Sequence, residues 1–239
     1  MRILKRILTA ALLGATLLSA GCSDEKPPYG REAALTPPWR KRQVWAVAPM
    51  VNLSGQKAAD PILQADLVFQ QLQQVPGLTV IPVNRTVEVL LSLRLEKVQS
   101  EQQAALVCEL LGCDGLVVPT ITIYDPYSPP KLGASLQVFL KPAGAVARPA
   151  ALNPREMARQ AAPVAGQSLP PGGAIIQAVN LFDAQNGSVR AAVLQYASGR
   201  NDPAGPLGAK EYLVSMDRYW GFVYHLLIAD LLNSPRMRS

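Results

Sequence analysis

The amino-acid sequence predicts an α/β fold: one domain built on a mixed β-sheet, with helices packed on it and a long amphipathic helix near its C-terminal end. Two features of the first half carry the prediction. Short apolar runs rich in β-branched residues are bounded by turn residues, and between them lie stretches with helical spacing, a pattern of strands joined by crossovers. The second half then supplies strand-like runs in succession, and the chain closes on its strongest helical pattern.

The first strand is read from "QVWAVAPMVNLSG", where Val44 to Val51 is apolar and Asn52, Ser54 and Gly55 end it in a loop. Asp60 and Pro61 follow as an N-cap and first-turn pair, with Ala65, Val68, Phe69 and Leu72 at helical spacing. After Pro76 and Gly77, "LTVIPVN" is a second strand and "RTVEVLLSLRLE" is assigned to helix. In "SEQQAALVCELLG", Ser100 and Gln103 form a capping box and Gly112 stands where a helix-ending glycine belongs. "DGLVVPTITIY" is the third strand.

"LGASLQVFL" reads as a further strand, and "GAIIQAVNLFDAQNGSVRAAVLQYASG" as a hairpin turning at Asn186-Gly187. Between them, residues 141–173 form a Pro/Ala-rich insertion in which only "NPREMARQAA" has a helical look, with Asn153 and Pro154 as cap and first turn. The last helix is "AKEYLVSMDRYWGFVYHLLIADLLN". Leu213, Met216, Trp220, Val223, Leu227 and Leu231 fall on one stripe, and Glu211, Arg218 and His225 on another, polar face. A stripe of this kind packs in the core; a helix that instead docks on a partner would use Tyr219, Trp220 and Tyr224 as anchors.

The start of the chain has a different logic. Arg2, Lys5 and Arg6 precede an uncharged run from Ile7 to Ala20, the pattern of a secretory signal and shorter than a membrane span. Leu18, Ser19, Ala20, Gly21 and Cys22 resemble the bacterial lipobox, in which cleavage between Gly21 and Cys22 leaves an acylated cysteine as the first residue. The expected organisation is a signal peptide over 1–21, a lipidated tether over 22–42, the α/β domain over 43–234 and a short tail over 235–239. Pro27, Pro28, Gly30, Pro37 and Pro38 make the tether unable to fold alone. A flexible Ser23–Pro38 segment spans roughly 20 to 25 Å.

Removing residues 1–21 takes away three positive charges and no acid, so the formal charge drops from +6 to +3. Basicity is therefore no argument for nucleic acid. What remains local is Arg40, Lys41 and Arg42 before the first strand and Arg236 and Arg238 at the end, either a solubilising flank or a contact with anionic lipid or glycan.

The catalytic inventory is thin. His225 is the single histidine, and HExxH, Walker and GxGxxG patterns are absent from the sequence. Asp60, Asp66, Glu109, Asp114 and Asp125 are scattered, each suited to a cap, a turn or a solvated face. No catalytic residue, metal ligand or cofactor is expected. Asn52, Asn84 and Asn186 match N-x-S/T, and each already has a loop, cap or turn role. Cys108 and Cys113 are either a disulfide, if the chain turns back at Gly112, or two small buried thiols.

Taken together, "VWAVAPMVNLSG", "LTVIPVN", "AALVCELLGCDGLVVPTITIYD" and "NLFDAQNGSV" resemble the superfamily of periplasmic lipoproteins related to the TolB amino-terminal domain and the curli secretion lipoprotein. Gly112, Cys113 and Asp114 stand where that superfamily has Gly-Ala-Asp, and the 141–173 insertion has no counterpart in it. The resemblance implies a non-enzymatic accessory or scaffold subunit of an envelope assembly or export machine, with envelope proteins, glycan or further copies of itself as partners. Two alternatives stand beside it: a secretion-channel subunit with membrane-inserting hairpins, and a glycan-binding or hydrolytic envelope protein. Ser23 after the lipidated cysteine points to the outer membrane, with the domain facing the periplasm.

Overall fold

A computed structural model of the chain describes residues 35–141, 174–202 and 204–237. Gly21, Cys22, the signal and most of the tether lie outside these residues, as do the 142–173 part of the insertion and its "NPREMARQAA" segment.

In chain order the elements are β1 (Gln43–Val47), β2 (Val51–Asn52), α1 (Pro61–Leu72), β3 (Leu78–Ile81), α2 (Val83–Ser92), α3 (Glu101–Leu111), β4 (Gly115–Asp125), β5 (Lys131–Leu140), β6 (Ala174–Asp183), α4 (Gly187–Ala197), a 3₁₀ segment (Gly208–Leu213) and α5 (Met216–Asn233). The strands form one six-stranded mixed sheet in the order β3-β1-β4-β5-β6, with β2 also on β4. β1 runs parallel to β3 and to β4, whereas β5 is antiparallel to both β4 and β6.

Connection direction decides which face each helix covers. The β1–α1–β3 crossover moves one way along the sheet, and the β3–α2–α3–β4 connection moves back past β1. Right-handed crossovers in opposite directions place their helices on opposite faces. Accordingly Ala65, Val68 and Leu72 of α1 join one apolar cluster with α5, while Leu90 of α2 and Ala104 and Val107 of α3 join a second cluster on the other face with Ala46, Leu116 and Val118.

Local chemistry explains several boundaries. Asp60 Oδ1 accepts from the Ile62 and Leu63 N–H groups at 2.9 and 2.8 Å, and Pro61 opens the helix. Ser100 Oγ accepts from the Gln103 N–H at 3.2 Å, while the Gln103 side chain reaches back to the N–H of Gln99 at 2.7 Å, one residue beyond the usual capping-box partner. Pro119 sits inside the central strand β4 but in the gap where β1 has left it at Val117 and β2 rejoins it at Thr120. A residue without an N–H is harmless there. Asn52 ties the following loop: its Nδ2 donates to the carbonyls of Gln56 and Ala59, and its Oδ1 accepts from the Ser54 N–H and hydroxyl.

Two expectations are corrected. Asn186-Gly187 is not a hairpin turn. Asn186 has φ −69° and ψ 128°, and its Oδ1 accepts from the Ser188 N–H at 2.9 Å as the N-cap of α4. Asn suits either role, and burial decides: Val189, Ala192, Val193, Tyr196 and Ala197 turn into the core at helical spacing. The hairpins of the sheet are β4–β5 and β5–β6, the latter spanning the insertion. Second, His225 is not on a polar face. It is 7% exposed, because α5 lies on the sheet beside α1 and α4 packs against it, with the Tyr196 ring over the imidazole. Only Glu211 and Arg218 of that expected face meet in solvent, as an ion pair at 3.3 Å.

Leu35 is buried and Trp39 packs on Trp45, with ring centroids 5.3 Å apart. The apolar cluster thus begins several residues before β1.

Candidate functional site

Tyr219, Trp220 and Tyr224 are consumed by the core. All three are at most 2% exposed. Trp220 is stacked between Tyr124 and Tyr224 at 5.5 Å on each side. The two hydroxyls are satisfied internally: Tyr219 donates to the Phe182 carbonyl at 3.0 Å, and Tyr224 donates to Gln64 Oε1 at 2.9 Å. Burial pushes both phenols above their usual range. As surface anchors for a partner they are therefore excluded from the folded domain, since a partner would have to unpack α5 to reach them.

Among the described residues, two surface features bear on binding. The first is a cleft of about 670 Å³ between α1, α4, the 3₁₀ segment and the start of α5, lined by Gln70, Gln71, Tyr196, Arg200, Glu211 and Asp217 among others. Arg200 lies over the Tyr196 ring at 4.0 Å and its Nη1 donates to the Tyr196 carbonyl at 2.8 Å. Its Nε and Nη2, and the Gln71 Oε1 that also lines the cleft, are buried with no hydrogen-bond partner among the described residues. Behind this wall the His225 ring meets Tyr196 at 5.1 Å. Burial first, and then the Arg200 charge, lower its pKa to about 4, so the imidazole is neutral near pH 7. The cleft brings Glu211 and Asp217 together, but Glu211 is engaged by Arg218. Sequence spacing alone did not point to Arg200, which lies in the loop after α4.

The second feature is the part of the sheet that no described helix covers. On the α2/α3 face the helical layer extends over β3, β1 and β4 and reaches β5 only near Phe139. Beyond it, Gly133, Ser135 and Gln137 of β5 pair in register with Leu181, Val179 and Gln177 of β6. Val179 and Leu181 are 68% and 48% exposed. β6 ends the strand order and, among the described residues, pairs only with β5. One outward donor, the Leu181 N–H, is taken by the neighbouring Asn180 side chain at 2.8 Å. At Gly133 a side chain would collide with Thr122 Oγ1 at 2.7 Å and with Ile123, so those two side chains already occupy the space above the glycine.

Cys108 and Cys113 are both buried, with Sγ atoms 2.9 Å apart. Asp60 and Asp125 serve locally, Asp60 as the N-cap of α1 and Asp125 Oδ1 accepting from the Tyr127 N–H at 3.2 Å, whereas Asp114 Oδ2 makes a long-range contact, accepting from the Val44 N–H at 2.8 Å. Among the described residues no group of three or more His, Cys, Asp or Glu is placed to hold a metal ion, and no helix is long and apolar enough to cross a membrane.

The fold and these surfaces define a single-domain α/β protein with a polar cleft on one side and an open half-sheet on the other. No protein-family model matches the chain, and no curated protein does. Solved structures similar to it include the LpoB C-terminal domain from Salmonella enterica (13% identity, covering 47% of this chain and 76% of that one, TM-score 0.34). The hypothetical protein CT253 from Chlamydia trachomatis is similar over 80% of this chain and 96% of that one (13% identity, TM-score 0.38). Lipoprotein GNA1162 from Neisseria meningitidis is similar over 64% and 94% (13% identity, TM-score 0.33). A lipoprotein is thus among the similar folds, but likenesses this distant carry no argument about what the chain does.

Proposed function

We propose that the chain is a bacterial envelope lipoprotein, anchored to the outer membrane through acylated Cys22, that serves as a non-enzymatic accessory or scaffold subunit of an assembly or export machine. The lipobox-like "LSAGC" and the Pro-rich stretch after it support the anchor and the reach of the domain. The observation that carries the binding reading is the open β5–β6 half-sheet. Large apolar side chains are exposed elsewhere too, Leu53, Leu91 and Tyr127 among them, but β6 presents two, Val179 and Leu181, on one face of a strand that pairs along one edge only among the described residues. The partner that fits is an extended segment of an envelope protein, adding a strand along β6: main-chain hydrogen bonds supply affinity and alternate side chains supply specificity.

This reading is preferred to a membrane-inserting hairpin because the β4–β5 hairpin has its Ile121, Leu132, Ala134, Leu136 and Val138 side chains spent on the core. A glycan-binding or hydrolytic role draws on the polar cleft, with its tyrosines, glutamines and Arg200, and is the second reading. A photo-crosslinking residue placed at 179 or 181 in intact cells should capture a protein, and Val179→Asp should abolish that capture without lowering the Tm. Cross-links from the cleft residue Gln70 but none from β6 would overturn the docking face. Metabolic labelling with palmitate tests the anchor: label must vanish in Cys22→Ala, and a Cys22→Ala form that keeps the label sinks it. Retained glycan affinity that is lost in Arg200→Ala would move the assignment to the second reading.

A further inference from the structure

We propose that Cys108 and Cys113 form a disulfide as the chain folds, and that this bridge locks the C-terminus of α3 onto the start of β4. The argument is one of backbone geometry. Gly112 ends α3 in the left-handed region at φ +66°, and the Cys113 N–H donates to the Cys108 carbonyl at 3.1 Å. This six-to-one bond is the mark of the Schellman ending, whose habit is to bring the side chain of the third-last helical position against that of the second residue past the cap. Here both of those positions are cysteine. The helix ending that usually closes on an apolar pair closes instead on two sulfurs 2.9 Å apart, each at most 2% exposed.

The location gives the bridge a mechanical role. Asp114, next in the chain, exchanges two hydrogen bonds with Val44: its N–H donates to the Val44 carbonyl at 2.6 Å, and its carboxylate accepts from the Val44 N–H at 2.8 Å. The Lys141 N–H donates to the Asp114 carbonyl at 2.8 Å. A bridge at 108–113 therefore fastens α3 at the point where β1, β4 and the end of β5 meet.

The chemistry needs an oxidant of the disulfide class, such as glutathione disulfide. One cysteine loses its proton and attacks a sulfur of the oxidant, giving a mixed disulfide and releasing one small thiol. The second cysteine then displaces the other small thiol, so that two protein thiols and one small disulfide become one protein disulfide and two small thiols. Once folded, the neighbouring Cys113 thiol first, and then burial, raise the Cys108 pKa far above its usual value. The thiolate is thus scarce in the finished fold, and oxidation belongs to the folding chain, before α3 closes.

The test is refolding of the full chain in a buffer containing glutathione disulfide, followed by alkylation in denaturant and tryptic digestion. Both cysteines lie on the single peptide Val98–Lys131 and Cys22 on a different one. The expected peptide is two hydrogens lighter than the reduced form, takes no alkyl group, and takes two after reduction. Two alkylated cysteines, or a glutathione adduct without the bridge, would overturn the proposal. The oxidised chain should also melt a few degrees above the chain refolded with reductant; equal midpoints would overturn the locking role. The inference does not rest on export, which is tested separately by comparing the peptide from signal-bearing and signal-less forms made in cells.

Discussion

The two faces of the sheet treat their apolar residues in opposite ways. On the α1/α5 face, Trp45, Tyr219, Trp220, Phe222 and Tyr224 are all at most 2% exposed, and α5 is enclosed on almost every side. On the α2/α3 face the helical layer stops at about the middle of the sheet, and Val179 and Leu181 stand in solvent. A strand buried on one side and open on the other needs only alternate apolar positions for stability. The outward positions of β6 are then free to hold residues that folding does not require, and surplus apolar residues there point to contact with something else.

The comparison is broken most severely by Trp220→Ala. Removing an indole stacked between two tyrosine rings should cost about 3 to 5 kcal/mol in urea unfolding, whereas Val179→Ala on the open face should stay within about 0.5 kcal/mol. Similar costs at both positions would mean that β6 is covered.

His225 sharpens the same contrast by pH. Its folded pKa, about 4, lies below the unfolded value near 6.5. Between these values the unfolded chain binds a proton that the folded chain refuses, so stability is full above pH 6.5 and falls as the pH drops towards 4. The loss should approach about 3 kcal/mol. His225→Gln should flatten the His-dependent part of the stability profile, and because the chain has one histidine, its imidazole resonance can be followed without ambiguity; a titration midpoint near 6.5 in the native protein would contradict the burial.

Tyr224→Phe removes the hydroxyl that meets Gln64 Oε1 and leaves a buried acceptor unpaired, at about 1 to 3 kcal/mol in the same unfolding assay. Asn186→Ala, which removes the N-cap of α4, should cost about 1 kcal/mol. A hairpin turn at that position would instead make Gly187→Ala the costlier change.

Much of this architecture was legible in the chain because its determinants are local. Asp60 with Pro61, Ser100 with Gln103, and Gly112 each act on backbone groups a few residues away, so the ends of α1 and α3 follow from neighbouring residues alone. The short apolar runs that became β1, β3, β4 and β5 needed only to be apolar and bounded by turn residues. Even the α4 error was readable: Val189, Ala192, Val193, Tyr196 and Ala197 keep helical spacing, and the Asn-Gly pair masked it because asparagine serves caps and turns alike.

The sequence by itself determined the alternation of strands and helices, the caps, and the thin catalytic inventory, since these depend on residue type and short-range spacing. Only the tertiary structure decided where the aromatics of α5 are spent, why His225 is buried neutral, and which half of the sheet no described helix covers. Periodicity tells which residues share a side of a helix or strand, but it does not tell whether a second layer covers the other side. That is set by the direction of the crossovers and the packing of distant segments, which are properties of the whole fold.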